Sequence, residues 1–202
     1  MNKKMGFTLI ELIVAIAILV IMVLMVAPLM SSISKTNKRT EEFNRLDINV
    51  GRTIDVFKRA VRSSQPIESG WTPNGVPTTG QAIYLAVDKN AGKSSSVTTA
   101  PAILINVPKE EILGSGIYLN EKVVFYYDTS NTSNKKLMLN STTGTIMSTS
   151  QAVTLVENVL DANFGYSQNI ATIYLKVKLD PKDDTRFKEI RDAAVTRINI
   201  QF

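Results

Sequence analysis

The chain begins with a long apolar segment and continues with a portion in which hydrophobic and polar residues alternate. Residues 12–27 include no polar side chain, and Glu11 is the only charged residue in the range 7–33. A helix from Phe7 to Met30 would extend about 36 Å, which exceeds the roughly 30 Å thickness of a membrane's hydrocarbon core. This pattern predicts a membrane-spanning helix that carries one acidic side chain.

A second helical pattern follows, in which hydrophobic residues recur at intervals of three and four. Its positions are Phe43, Leu46, Val50, Ile54, Phe57 and Val61. Polar residues occupy the other faces, as is typical of a helix that is half-buried against a sheet. We therefore predict one helix over residues 8–64, ended by Gln65 and Pro66, with bends at Pro28 and Gly51.

The rest of the chain has the pattern of a β-rich domain. Residues 66–80 are rich in Pro, Gly and Thr and predict a connecting loop, after which short alternating or β-branched runs predict strands. The runs are residues 82–87, 102–107, 122–127, 136–139, 152–159, 170–179 and 194–202. The predicted fold class is α+β: a long amino-terminal transmembrane helix continues into a globular domain and packs its outer half on an antiparallel β-sheet.

The composition excludes many catalytic mechanisms. The chain has 202 residues, enough for one ordinary domain, and contains no cysteine and no histidine. It therefore lacks thiol nucleophiles, disulfides, the usual zinc ligands and an imidazole proton shuttle. Since no catalytic constellation is visible either, we predict that the protein is not an enzyme and uses no cofactor and no metal.

Several interpretations of the apolar segment compete. A secretory signal peptide has a shorter apolar region and a small-residue cleavage site, whereas here the nearby small residue Ala27 is followed by Pro28. A plain membrane anchor leaves Glu11 unexplained, because an acidic side chain inside a membrane helix costs roughly 3 kcal/mol. Thr8 and Glu11 have the spacing of a capping box, so Glu11 also has a simple interpretation as a helix-start residue.

The sequence of residues 3–12 suggests a further interpretation of the apolar segment. Lys-Lys-Met-Gly followed by Phe-Thr-Leu-Ile-Glu-Leu resembles the processing site, or class III leader peptide, of the type IV pilin and type II secretion pseudopilin family. The resemblance implies that a prepilin peptidase cleaves between Gly6 and Phe7 and that Phe7 is then methylated on its amine. It further implies that Glu11 acts in filament assembly and that Pro28 bends the helix.

The resemblance also implies an organisation and a set of partners. Residues 1–6 are a leader peptide, 7–33 a transmembrane and assembly helix, 34–65 the amphipathic half of the same helix, and 66–202 a β-rich globular head with the pilin fold. The expected partners are the prepilin peptidase, other pilins or pseudopilins, an inner-membrane assembly platform and, before assembly, the lipid bilayer. We expect a single-pass protein of the cytoplasmic membrane whose carboxy-terminal domain is exported, and which then enters a pilus or pseudopilus on the cell surface or in the periplasm.

The resemblance leaves the particular filament system open. A minor subunit of a type IV pilus is favoured, because the major subunits of the family are usually shorter and often carry a disulfide. The alternative is a minor pseudopilin of type II secretion or of a competence DNA-uptake pseudopilus. Residues 155–177 resemble, through their pattern, the carboxy-terminal half of larger minor pilins and J-type minor pseudopilins.

Two charged clusters each have a functional and a structural interpretation. The first consists of Arg52, Lys58, Arg59 and Arg62, and the second of Asp180, Asp183 and Asp184. We interpret the basic strip as a solvated helix face whose charge is balanced by Asp47 and Asp55. The net charge of the chain is +5 and falls to +3 without Lys3 and Lys4, so a nucleic-acid partner is not expected. We interpret the acidic cluster as a solvated turn, since it has basic neighbours and lacks EF-hand spacing. The alternative interpretation is a calcium site.

Overall fold

The computed structural model of the protein describes residues 8–67, 80–92, 94, 98–111, 118–143, 152–180 and 183–196. Within these ranges one helix, α1 (Leu9–Arg62), precedes all the strands. The chain forms two compact units, Met1–Arg45 and Leu46–Phe202. Helix α1 contributes residues to both units, and its bounds confirm the helix predicted over residues 8–64.

The first unit consists, in its described part, of the amino-terminal portion of α1. Pro28 lies inside the helix, and the helical assignment continues across it and, further along, across Gly51. A proline inside a helix removes one backbone hydrogen bond and is a frequent site of bending. The bends at Pro28 and Gly51 stay predictions.

The strands of the second unit form two antiparallel sheets. They are β1 (Ile83–Ala86), β2 (Thr99–Ala100), β3 (Ala102–Glu111), β4 (Tyr118–Asp128), β5 (Lys136–Thr142), β6 (Val153–Val156), β7 (Val159–Ser167), β8 (Ile170–Asp180) and β9 (Asp183–Val195). One sheet has five strands in the order β1-β3-β4-β5-β6, and the other has four in the order β2-β7-β8-β9. The α+β class and the antiparallel pairing are confirmed, whereas the sequence pattern predicted one sheet and the structure has two.

The apolar stripe of α1 packs on both sheets. Val50, Ile54, Phe57 and Val61 are buried in one cluster with residues of both sheets. Phe57 is fully buried and contacts Phe125 of β4 edge-on, with ring centroids 5.5 Å apart, and Phe164 of β7 at 6.1 Å. The helix therefore closes the core of the second unit at a point where both sheets meet it.

The strand predicted over residues 152–159 is wrong in its extent. The structure divides this run into β6 and β7, which belong to different sheets, and Glu157 and Asn158 separate them. Asn158 has a φ of 57°, a left-handed conformation that asparagine tolerates better than most residues. Its amide donates to the side-chain oxygen of Asn134 at 3.1 Å, which fixes the turn between the sheets.

A second correction concerns the long strand β9. The sequence pattern predicted a loop around residues 180–184 and a strand from Ala194, but the structure pairs Asp180 with Asp183 and continues β9 to Val195 as the partner of β8. As an edge strand, β9 exposes alternate side chains to solvent, and among its residues with described side chains Ile190 and Ala194 lie in or against the core. Charged residues therefore dominate its sequence and hide the strand pattern. Residues 197–202 of the predicted last strand lie outside the described residues.

Candidate functional site

Thr8 and Glu11 form the start of helix α1. The Glu11 carboxylate oxygen Oε2 accepts hydrogen bonds from the Thr8 amide at 2.8 Å and from the Thr8 hydroxyl at 2.9 Å. In return the Glu11 amide donates to the Thr8 hydroxyl oxygen at 3.4 Å. These reciprocal bonds are a capping box, as the spacing predicted, and they satisfy two amide donors that the helix leaves without an internal partner.

The capping box uses only one of the two carboxylate oxygens of Glu11. Both bonds from Thr8 end on Oε2, and no described residue donates to Oε1. A carboxylate accepts several hydrogen bonds, so Oε1 keeps its full capacity. Glu11 therefore caps the start of the helix and, among the described residues, has one carboxylate oxygen without a donor at the edge of an apolar segment.

The segment that follows Glu11 exposes a long apolar surface. Its large hydrophobic side chains, from Leu12 at 56% exposure to Ile33 at 59%, lie outside any core within the first unit. Helix α1 is long and apolar enough to cross a membrane. An exposed apolar surface of this length needs lipid or other apolar helices around it, because water solvates it poorly.

The basic strip on the outer half of α1 is arranged differently from its prediction. Lys58 forms an ion pair with Asp192 of β9 at 2.7 Å, and this bond is the main reason that the pKa of Asp192 lies below its ordinary value. Asp47, which the sequence predicted as a charge that balances the strip, pairs instead with Lys188 of β9. Two ion pairs thus connect α1 to the edge strand β9: α1 supplies the base in the first and the acid in the second.

The remaining candidate residues lie partly outside the described ranges. Gly6 and Phe7 do so, and their cleavage and methylation stay predictions. Asp180 is at the end of β8, but nothing is described of the Asp183 and Asp184 side chains, so the calcium alternative is untested. Among the residues with described side chains, no three acidic groups come together as metal ligands.

Comparison with known proteins addresses the amino-terminal segment. Residues 1–27 match the family model described as the prokaryotic N-terminal methylation motif. Neither the curated proteins nor the solved structures include a significant match to the chain. The chain thus carries the leader motif of type IV pilin-like and pseudopilin precursors, and the matched residues include the start of a helix that is long and apolar enough to cross a membrane.

Proposed function

We propose that this protein is a minor structural subunit of a type IV pilus, matured by a prepilin peptidase between Gly6 and Phe7. The observation that carries the proposal is the methylation motif over residues 1–27, which extends into the exposed apolar part of helix α1. The motif contains the processing site. The helix provides an apolar surface that lipid surrounds before assembly and that other helices surround in the filament.

Assembly uses one surface in two environments. Before assembly the apolar part of α1 lies in the lipid bilayer of the cytoplasmic membrane, with the leader in the cytoplasm and the head exported. An assembly platform then transfers subunits into a filament, where the same apolar surfaces pack against each other. Packing between helices replaces contacts with lipid tails at little cost, because both surroundings are apolar.

Glu11 selects the position of each incoming subunit. Its Oε2 accepts two hydrogen bonds from Thr8, and no described residue donates to its Oε1. The methylated amine of Phe7 in a neighbouring subunit is a cation that fits this oxygen. A charge pair in an apolar surrounding stabilises only the arrangement that brings both charges together, and therefore fixes the axial position of the helices.

A pseudopilin of a secretion or competence system is the second candidate, because it has the same leader motif and the same kind of helix. Within a pilus we favour a minor subunit, because the chain has no cysteine and the major subunits of the family it resembles are usually shorter and often carry a disulfide. Genes for a secretion channel, a DNA-uptake receptor or a retraction motor next to this one would distinguish the systems.

The proposal predicts that the protein occurs in sheared surface filaments. Filaments are sheared from wild-type cells and from cells without the prepilin peptidase, and the chain is detected with antibody to the β-rich head. We expect the chain in the wild-type filament fraction and only in membranes of the peptidase mutant. A cleaved chain that stays in the envelope, together with loss of protein secretion on its deletion, would favour the pseudopilin instead; a chain unaffected by the peptidase would contradict both.

A further inference from the structure

The outer face of the four-stranded sheet carries an open depression of about 630 Å³. Successive residues of a strand point to opposite faces, and Phe164 of β7 and Ile173 of β8 are buried in the core, so the residues next to them in sequence face outward. The depression lies over β2, β7, β8 and β9, and all of its lining belongs to the second unit. The outward side chains that line it are Thr99, Asn163, Thr172, Tyr174, Arg191 and Ala193.

A row of small residues crosses the sheet beneath the depression. Gly165 lies opposite Thr99 on one side and Thr172 on the other, and Thr172 lies opposite Ala193. A Cβ atom on Gly165 would be 2.5 Å from Oγ1 of Thr172 and 3.0 Å from the carbonyl oxygen of Thr98, so a larger residue would displace the floor of the depression. Small residues in the interior of a strand let a ligand approach the sheet closely.

Beside this row, a guanidinium group and an aromatic ring form one wall. Tyr174 lies opposite Asn163 on one neighbouring strand and opposite Arg191 on the other. The Cζ of Arg191 is 5.1 Å from the centroid of the Tyr174 ring, so cation–π attraction holds the guanidinium in place. Arg191 is exposed and forms no ion pair with any described residue, because the adjacent Asp192 is paired with Lys58 of α1. The donors of the guanidinium are therefore available to an anionic ligand.

The opposite end of the depression has a neutral amide. Nδ2 of Asn163 donates to the two carboxylate oxygens of Asp161 at 3.3 and 3.4 Å, and no described residue donates to Oδ1 of Asn163. Asn163 and Arg191 are separated by two strand spacings, or roughly 10 Å, which is close to the length of two linked sugar rings. Sugar hydroxyls both donate and accept hydrogen bonds, as amide and hydroxyl side chains do, and a guanidinium binds a carboxylate through two parallel hydrogen bonds. We propose that the depression binds a disaccharide unit of an acidic polysaccharide, with the carboxylate on Arg191 and hydroxyls on Asn163 and Thr172.

An acidic peptide has the same charge, but the position of the depression disfavours it. An extended peptide commonly satisfies its backbone amides by adding to the edge of a sheet. The depression lies instead on the face of the sheet, where β8 is already paired with β7 on one side and with β9 on the other. Its volume of about 630 Å³ is also in the range of sites for small ligands.

Binding is measured by ligand-observed NMR titration of the purified full chain in mild detergent, so the result does not depend on leader cleavage or assembly. The acidic probes are digalacturonate and the hyaluronan disaccharide, the neutral probe is digalactose, and the peptide probe is tetraglutamate. At least one acidic disaccharide should bind about tenfold more tightly than digalactose, because its carboxylate adds charge-assisted hydrogen bonds. It should also bind more tightly than tetraglutamate.

Two variants at exposed positions test the assignment of the residues. Arg191→Gln should remove the tenfold preference for the acidic probe and leave the affinity for digalactose unchanged. Ala193→Leu places a larger side chain in the depression and should weaken binding of both kinds of disaccharide at least about fivefold. Arg52→Gln is the matched control, since it makes the same charge change at an exposed position on α1, and it should bind as the native chain does.

Several results would overturn the proposal. They are the absence of saturable binding by either acidic disaccharide, tighter binding of tetraglutamate, and a native preference for the acidic probe in Arg191→Gln. An equal loss of affinity in Arg52→Gln would also overturn it, because the attraction would then depend on the net charge of the chain and not on this site.

Discussion

Glu11→Gln is expected to insert into the membrane and to lose its leader as the native chain does, yet to enter filaments at least about tenfold less. Glutamine at this position still accepts the bonds from Thr8, because a capping box forms with either side chain. The substitution therefore removes the charge and keeps the helix start. What is lost is the partner of the neighbouring amine, and an unpaired cation in an apolar surrounding costs about 3–5 kcal/mol.

The measurement compares, in one strain, the leader-cleaved fraction in membranes with the amount of chain in sheared filaments. Thr8→Val is the matched control, since it removes the hydroxyl that bonds Glu11 at 2.9 Å and leaves the carboxylate and the Thr8-position amide in place. We expect it to assemble within about twofold of the native chain, because a cap contributes only about 1 kcal/mol. Equal incorporation of Glu11→Gln and the native chain would reduce Glu11 to a helix-start residue.

Phe57→Ala is expected to lower the free energy of unfolding of the β-rich unit by about 3–5 kcal/mol. Phe57 is fully buried and contacts Phe125 and Phe164, whose strands belong to different sheets. Its removal leaves a cavity where the helix joins both sheets, and rigid strands cannot close such a cavity completely. The loss is a large share of the stability of an ordinary domain.

The effect is measured by urea unfolding of the full chain in mild detergent, followed by pulse proteolysis. Val56→Ala is the control, because Val56 is the adjacent residue and is 41% exposed. It should change the free energy of unfolding by less than about 1 kcal/mol. A loss below about 1 kcal/mol for Phe57→Ala would mean that the helix is not an essential part of this core.

Local patterns predicted much of this architecture. The apolar run and the three-and-four spacing gave the length of α1, and the spacing of Thr8 and Glu11 predicted the capping box that the structure contains. These features depend on neighbours within one or two helical turns, which the sequence shows directly. The strands in the middle of the chain were recognised for the same reason, since their side chains alternate.

The features that were missed depend on long-range contacts. Strand β9 is held by β8 and by ion pairs from Asp192 to Lys58 and from Lys188 to Asp47, and its own sequence is mostly charged. The change of sheet at Asn158 depends on a hydrogen bond to Asn134, which is distant in sequence. Neither the periodicity nor the composition of the sequence shows which strand such residues contact. The sequence therefore predicted one sheet, whereas the structure has two.

Removal of the first six residues as a leader would leave a mature subunit that begins at Phe7. Intact-mass measurement of the chain purified from filaments or membranes tests it most directly. The predicted result is the mass of residues 7–202 plus one methyl group, with the methyl located on the amino-terminal residue by fragmentation. A chain that still begins at Met1, or one cut near Ala27 as a secretory signal peptide would be, would contradict the account.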